Sequence, residues 1–256
     1  MNYASYASEN SVEKLGLSVR KLFAAVLLGA AFSAMPAAHA GTIDFEGIGN
    51  GLVGDSDTFQ QAGLYLTAYS NAIGAQPGDL VGAVVDGSDL GGGLCVNLAC
   101  PGNNSSNFYT GLNDGYLQLD VTNPANHISI LGFDASFIGA IAGGSYPAVS
   151  GLLQIQGFFA DGSSDLRRYA LSGPVGGSFN FEHFITDTAF ASENFAAVDV
   201  FAYSCDASGN CLAFQDNKGQ FAIDNIAVTV PEPSTYLMML LGLASVGAAA
   251  LRRRSL

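Results

Sequence analysis

The chain has 256 residues, enough for one large domain or two small ones, and 49% of them are hydrophobic while only 12% are charged, a balance that excludes a disordered chain. Its nine basic and 22 acidic residues give a formal net charge of −13. Six of the basic residues lie near the two ends, so residues 41–251 hold three basic against twenty acidic side chains, a net −17 that repels nucleic acid and anionic lipid and suits divalent cations or neutral and cationic partners.

Arg20 and Lys21 precede an apolar run over residues 22–34, followed by Met35-Pro36 and Ala38-His39-Ala40. A basic n-region, an apolar h-region and an Ala-x-Ala site predict a secretory signal peptide over residues 1–40, with Ala38 and Ala40 as the signal-peptidase site. The run is too short to span a bilayer.

Residues 41–230 read as one β-domain. Period-two alternation predicts strands at 42–46, 63–67, 116–120, 127–133, 152–159, 179–185, 196–203 and 221–230. Between them lie Gly, Asn, Asp and Ser clusters such as Gly91-Gly92-Gly93 and Asn113-Asp114-Gly115, which are turn chemistry. No helical period appears outside the two ends. Eight or more strands without βαβ alternation predict an all-β fold, an antiparallel β-sandwich of jelly-roll type.

In the first strand Ile43 and Phe45 face one way, Asp44 and Glu46 the other. In the last, Ile226, Val228 and Val230 share a phase with Asp224, whereas Phe221 and Ile223 take the opposite one. An aspartate on a core-facing phase needs a partner or a cation; a bulge near Asp224 is the alternative.

Cys95, Cys100, Cys205 and Cys211 make an even count in an exported chain, which predicts disulfides. Proximity pairs Cys95 with Cys100 and Cys205 with Cys211; pairing between the two groups is the alternative. The spacings are wider than the Cys-x-x-Cys of zinc sites.

Catalytic motifs are absent from the sequence. His127, beside Ile128 in a strand, reads as a surface or satisfied histidine, and His183 alternates outward between phenylalanines. There is no His-Glu-x-x-His, Gly-x-Ser-x-Gly elbow or P-loop. Among so many acids, some pair could stand at the spacing of a glycoside hydrolase. Tyr69, Tyr109 and Tyr146, read as loop residues, are candidates to stack on sugar rings.

The C-terminus reads Pro231-Glu232-Pro233-Ser234, then an apolar stretch over 236–251, then Arg252-Arg253-Arg254. As a helix the stretch reaches roughly 24 Å, close to one hydrocarbon core, with Tyr236 and the arginines anchoring its ends and the arginines staying cytoplasmic. These residues resemble the PEP-CTERM sorting signal. The resemblance implies recognition by an exosortase, a membrane-embedded cysteine transpeptidase-like enzyme, and cleavage near Pro231, Glu232 and Pro233. It implies a transient single transmembrane helix, then release to the surface or extracellular matrix of a Gram-negative bacterium, in the company of exopolysaccharide and biofilm formation. Gln220-Phe221-Ala222-Ile223-Asp224 is similar to the Gln-Phe-x-x-Asp motif of one subgroup of these proteins.

Asp44-Phe45-Glu46-Gly47 at the start and Ile223-Asp224-Asn225-Ile226-Ala227-Val228 at the end resemble the galactose-binding-like jelly rolls of carbohydrate-binding modules. There the first and last strands lie close and share a structural Ca²⁺. Carried onto this chain, the ligands would be Glu46 and Asp224, with Asp44 outermost, and oxygen ligands of this kind suit calcium. The alternative is that Asp224 caps a turn by accepting from backbone amides. Two functions follow as expectations: a non-catalytic, exosortase-sorted surface or matrix protein, with a carbohydrate-binding module as its variant, and a polysaccharide hydrolase or lyase.

Overall fold

The computed structural model describes residues 39–230, apart from 92, 125, 141–143 and 216, together with Gly242. The leader up to Ala38, Pro231-Glu232-Pro233, the stretch over 236–251 save Gly242, and Arg252, Arg253 and Arg254 lie outside the described residues. The described residues 39–230 fall within one compact unit. Among the described residues no helix is long and apolar enough to cross a membrane.

Among the described residues, fourteen strands build two antiparallel sheets. In chain order they are β1 (His39–Ile43), β2 (Gly51–Gly54), β3 (Thr58–Gln61), β4 (Leu64–Ser70), β5 (Leu80–Asp86), β6 (Asn107–Gly111), β7 (Gly115–Val121), β8 (Ser129–Phe137), β9 (Val149–Phe158), β10 (Ser164–Ser172), β11 (Glu182–Ile185), β12 (Ala197–Cys205), β13 (Cys211–Leu212) and β14 (Phe221–Val230). A 3₁₀ turn (Gly93–Val96) and a helical turn α1 (Thr188–Ala191) lie between them. Sheet 1 runs β11-β8-β14-β6-β5-β2, with β1 beside β14; sheet 2 runs β10-β9-β12-β7-β4-β3, with β13 beside β12. The two sheets pack as the sandwich that the period-two pattern predicts.

Alternation explains the core. In β7, Leu117 and Leu119 are fully buried while Tyr116, Gln118 and Asp120 lie on the other phase and stay partly exposed. Leu64 and Leu66 of β4 and Val198 and Val200 of β12 face the same interior, opposite Phe133, Ile223, Ile226 and Val228 of sheet 1. Burial of each such side chain contributes about 1.5–3 kcal/mol. Glycine lets aromatic rings close in: a Cβ at Gly157 would stand 2.3 Å from the Phe195 ring, and one at Gly111 would stand 2.1 Å from that of Phe221.

Strands β2, β3, β5, β6, β10 and β13 are additions to the sequence reading. β6 is buried on both faces from Phe108 onward, so it shows no alternation. In β10 the two arginines sit on opposite phases: Arg167 lies over the Phe190 ring at 5.0 Å, Arg168 over that of Tyr203 at 4.9 Å.

The two outer faces differ. The outer face of sheet 1 lies under a loop crossing from β5 to β6, where Phe108, Ile138 and Ala222 are fully buried against Val85, Leu90, Leu98 and Phe181. The outer face of sheet 2 keeps most of its polar and aromatic side chains partly exposed.

Candidate functional site

β1 and β14 pair in register from His39↔Val230 to Ile43↔Ile226, so the first and last strands are neighbours. Asp224 is fully buried. Between Asp224 and Ala227 the register on β8 shifts, and Asn225 takes φ 50°. This bulge lets Phe221 and Ile223 before it, and Ile226 and Val228 after it, all face the core. Asp224 therefore points to the outer face, under the loop that covers sheet 1. There Oδ2 accepts from Asn104 Nδ2 at 2.8 Å, Ser106 Oγ at 2.8 Å and Asn225 Nδ2 at 3.3 Å, and Oδ1 accepts from Asn225 N–H at 2.7 Å. Burial raises its pKa, against those hydrogen bonds, and the Asp134 charge raises it further.

The other two proposed calcium ligands are engaged separately. Glu46 Oε1 accepts from Asn107 N–H at 2.9 Å, and Asp44 Oδ1 accepts from the Gln61 side chain and from Glu46 N–H at 3.1 Å. Glu46 and Asp224 thus grip the same 104–107 segment, one through its backbone and the other through its side chains. A carboxylate offers about four lone-pair sites, and on Asp224 protein donors take them. Arranged this way, Asp224 is held by protein donors, while Asp44 Oδ1 and Glu46 Oε1 each accept from donors of their own. Among the described residues, no group of three or more His, Cys, Asp or Glu side chains is placed to hold a metal.

The open face of sheet 2 has a different chemistry. An aromatic row crosses it. Tyr69 of β4 stacks on Tyr116 of β7 with ring centroids 5.4 Å apart, and Tyr116 meets Phe214 edge-on at 6.5 Å. Phe214 packs on Phe201 of β12 at 4.8 Å, and Phe201 stacks on Tyr203 at 5.8 Å. Arg168 of β10 closes the row above Tyr203. Beside it, strand register lines up Thr58, Thr67, Gln118, Asp199, Gln156 and Leu166 across six strands.

These polar groups hold one another in place. Gln118 Nε2 donates to Asp199 Oδ1 at 2.9 Å. Gln154 Oε1 accepts from Arg168 Nε at 2.8 Å and from Tyr203 Oη at 2.9 Å, while its Nε2 donates to Gln156 at 3.0 Å. Burial raises the carboxyl pKa of Asp199 and of Asp120, and raises the Tyr116 phenol, with the Asp199, Tyr69 and Asp55 charges adding to it. The face is a stacking platform flanked by fixed planar amides, a guanidinium and carboxylates.

Of the three tyrosines expected in loops, Tyr69 ends β4 on this platform. Tyr109 belongs to β6 and is fully buried, with its phenol pushed far up by burial, and Tyr146 packs edge-on against Phe179 at 5.1 Å. His183 is exposed and bonds Asp134 at 2.7 Å; His127 precedes β8. The cysteines pair Cys95–Cys100 and Cys205–Cys211, the neighbour pairing. Tyr116, Phe201, Tyr203, Phe214, Gln118, Gln154, Arg168 and Asp199 were not singled out from sequence. The available signal was aromatic side chains on the solvent phase of β7 and β12.

Residues 229–254 match the PEP-CTERM protein-sorting motif, and the match begins on the last two residues of β14. The chain therefore carries the tag of a protein exported and sorted by an exosortase at the cell envelope. No curated protein matches the chain. A DUF4465 family protein from Bacteroides ovatus is 7% identical at a TM-score of 0.38, over 75% of this chain and 99% of that one. TmCBM61, solved in complex with beta-1,4-galactotriose, is 7% identical at 0.32, over 64% of this chain and 86% of that one. The enzymatically active domain of tailspike protein 4 of bacteriophage CBA120 is 13% identical at 0.28, over 66% of this chain but only 19% of its own length. Likenesses of this size carry no argument about function.

Proposed function

We propose that this chain is a non-catalytic, exosortase-sorted surface or matrix protein of a Gram-negative bacterium, and that its β-domain binds exopolysaccharide through the open face of sheet 2. The observation that carries this reading is the row Tyr69, Tyr116, Phe214 and Tyr203 beside Gln118 and Asp199, braced from beneath by the buried Phe201 and Gln154. Pyranose rings present apolar C–H faces that pack on aromatic rings and hydroxyl edges that bond to amides and carboxylates. A polymer needs an extended, preformed surface, and the row runs across strands β4, β7 and β12. The net −17 of residues 41–251 favours neutral or cationic glycans over anionic ones.

Asp120 and Asp199 are the specific observation behind a hydrolase reading, since they lie diagonally on adjacent strands β7 and β12. Glycoside hydrolysis needs two carboxyls driven apart in pKa, one kept protonated and one ionised. Here burial drives both the same way, upward.

The test is affinity electrophoresis of the purified chain through gels containing the producer's own exopolysaccharide, with reducing ends assayed in parallel. Retardation without new reducing ends is expected. Release of reducing ends that is lost in Asp199→Asn would replace binding by hydrolysis, and migration unaffected by any neutral or cationic polymer would remove both readings.

A further inference from the structure

A second set of oxygens stands away from Asp224. Asp114 lies in the turn between β6 and β7, where Asn113 (φ 52°) and Asp114 (φ 56°) are both left-handed and Gly115 N–H returns to Leu112 O at 2.8 Å. Asp114 is only 7% exposed. Its Oδ2 accepts from Asn217 N–H at 2.9 Å, but its Oδ1 is buried without a hydrogen-bond partner. Gln220 is 6% exposed and donates Nε2–H to Asn217 C=O at 3.2 Å. A carbonyl only accepts, so this bond fixes which way the amide points. Gln220 Oε1 is left buried, again without a partner.

Two orphaned acceptors are thus tied to one residue, Asn217, through its N–H and its C=O. The third observation is Gly219. A Cβ built there would lie 2.6 Å from the Ala202 carbonyl oxygen and 3.5 Å from Asp114 Oδ1. With no side chain at 219, the Ala202 carbonyl oxygen and Asp114 Oδ1 both come close to the same side of this backbone. Buried acceptors without donors are costly, and a charged one most of all. What these oxygens lack in common is positive charge or protons.

We propose that Asp114 Oδ1 and Gln220 Oε1, beside the Ala202 carbonyl, line a binding site for one Ca²⁺ ion. The donors are all oxygens, which suits a hard cation, and they come from a turn, from within β12 and from the residue before β14, with the adaptable geometry calcium accepts and magnesium does not. A single carboxylate makes the site a weak one, on the order of 10⁻⁴–10⁻³ M, the range of extracellular modules. The acidic chain raises the local concentration of the cation. This site shares no residue with Asp44, Glu46 and Asp224, and it does not depend on the glycan reading.

The test uses the full chain in detergent micelles, stripped with EGTA, with Ca²⁺ binding followed by calorimetry and by melting temperature. Ca²⁺ is expected to raise the melting temperature with a sub-millimolar to millimolar midpoint, and Mg²⁺ at equal concentration to do less. Asp114→Asn preserves the side chain's shape and the bond from Asn217 but removes the charge; it should weaken Ca²⁺ at least tenfold. Gln220→Met should weaken it severalfold, while Asp224→Asn should leave the calcium shift in place. Terbium luminescence sensitised by the protein's tyrosines gives a readout independent of stability and should fall in Asp114→Asn. Wild-type melting and terbium emission that ignore Ca²⁺, or an Asp114→Asn chain that responds like the wild type, would overturn the site and leave its oxygens to buried water.

Discussion

Asp224 accepts four hydrogen bonds and has no exposed surface. Replacing it by alanine strands the donors of Asn104, Ser106 and Asn225 beneath the covering loop. The expected cost is about 2–4 kcal/mol, read from denaturant unfolding, with the loop over sheet 1 loosened first. Charge state is a second lever at this scale. Asp120, Asp199 and Asp224 all have pKa values raised by burial. A folded-state pKa above the unfolded one means that the folded chain holds the proton more tightly. Their contribution to stability is therefore full below about 3.8 and is lost as pH rises through the folded values. Asp187 runs the other way: hydrogen bonds from Arg167 and the Phe190 N–H lower it to about 2, so it stabilises above its unfolded value and is lost as pH falls toward 2. Melting temperature is expected to rise as pH falls from neutral through the raised values of these carboxyls. Asp199→Asn, which mimics the protonated form and can still accept from Gln118, should raise melting at pH 7 and flatten that rise. A steeper rise in the variant would contradict this account. From sequence, Asp224 was visible as an anomaly on an apolar phase. Its partners Asn104 and Ser106 were not, because they lie more than a hundred residues away in a loop without periodicity.

Among the elements, β7, β12 and β14 were legible because each has one apolar phase of three or more positions. β14 was read to its bounds, and the bulge at Asn225 explains why its phase changes midway. β5 and β6 escaped because both of their faces are buried: one beneath the loop over sheet 1, the other in the interior. The cleavage position expected after Ala40 falls inside β1, so processing there would keep the pairs from Gly41↔Val228 to Ile43↔Ile226. The disulfides act at this scale too. Each closes a short loop, with sequence separations of five and six: Cys95–Cys100 around Leu98, which packs against Phe108, Ile138 and Ala222, and Cys205–Cys211 at the β12–β13 pair that leads into Phe214. Loops so short contribute about 2 kcal/mol each by chain entropy. Cys205→Ser with Cys211→Ser should lower stability by about that amount and weaken glycan retention through Phe214, whereas Cys95→Ser with Cys100→Ser should lower stability alone.

At the scale of the whole molecule, the two sheets divide the work. Sheet 1 buries its outer face under a loop and pairs the first strand with the last. Sheet 2 leaves an aromatic, amide-lined face open. The sorting motif over residues 229–254 was readable because it is local: a hydrophobic run with its flanking charges needs no tertiary structure to be recognised. The platform was not readable, because β4, β7, β9, β10 and β12 become neighbours only when the sandwich closes. Truncating one ring of the row should cost glycan affinity about tenfold, or 1.4 kcal/mol, for Tyr69→Ala or Tyr116→Ala, with little change in melting. The most direct measurement is a titration of the isotope-labelled chain with an oligosaccharide of the producer's exopolysaccharide, followed by NMR. The account predicts shifts concentrated at Tyr69, Tyr116, Gln118, Asp199, Tyr203 and Phe214. Saturable binding whose shifts fall on sheet 1 or its covering loop, with those six residues unmoved, would contradict it.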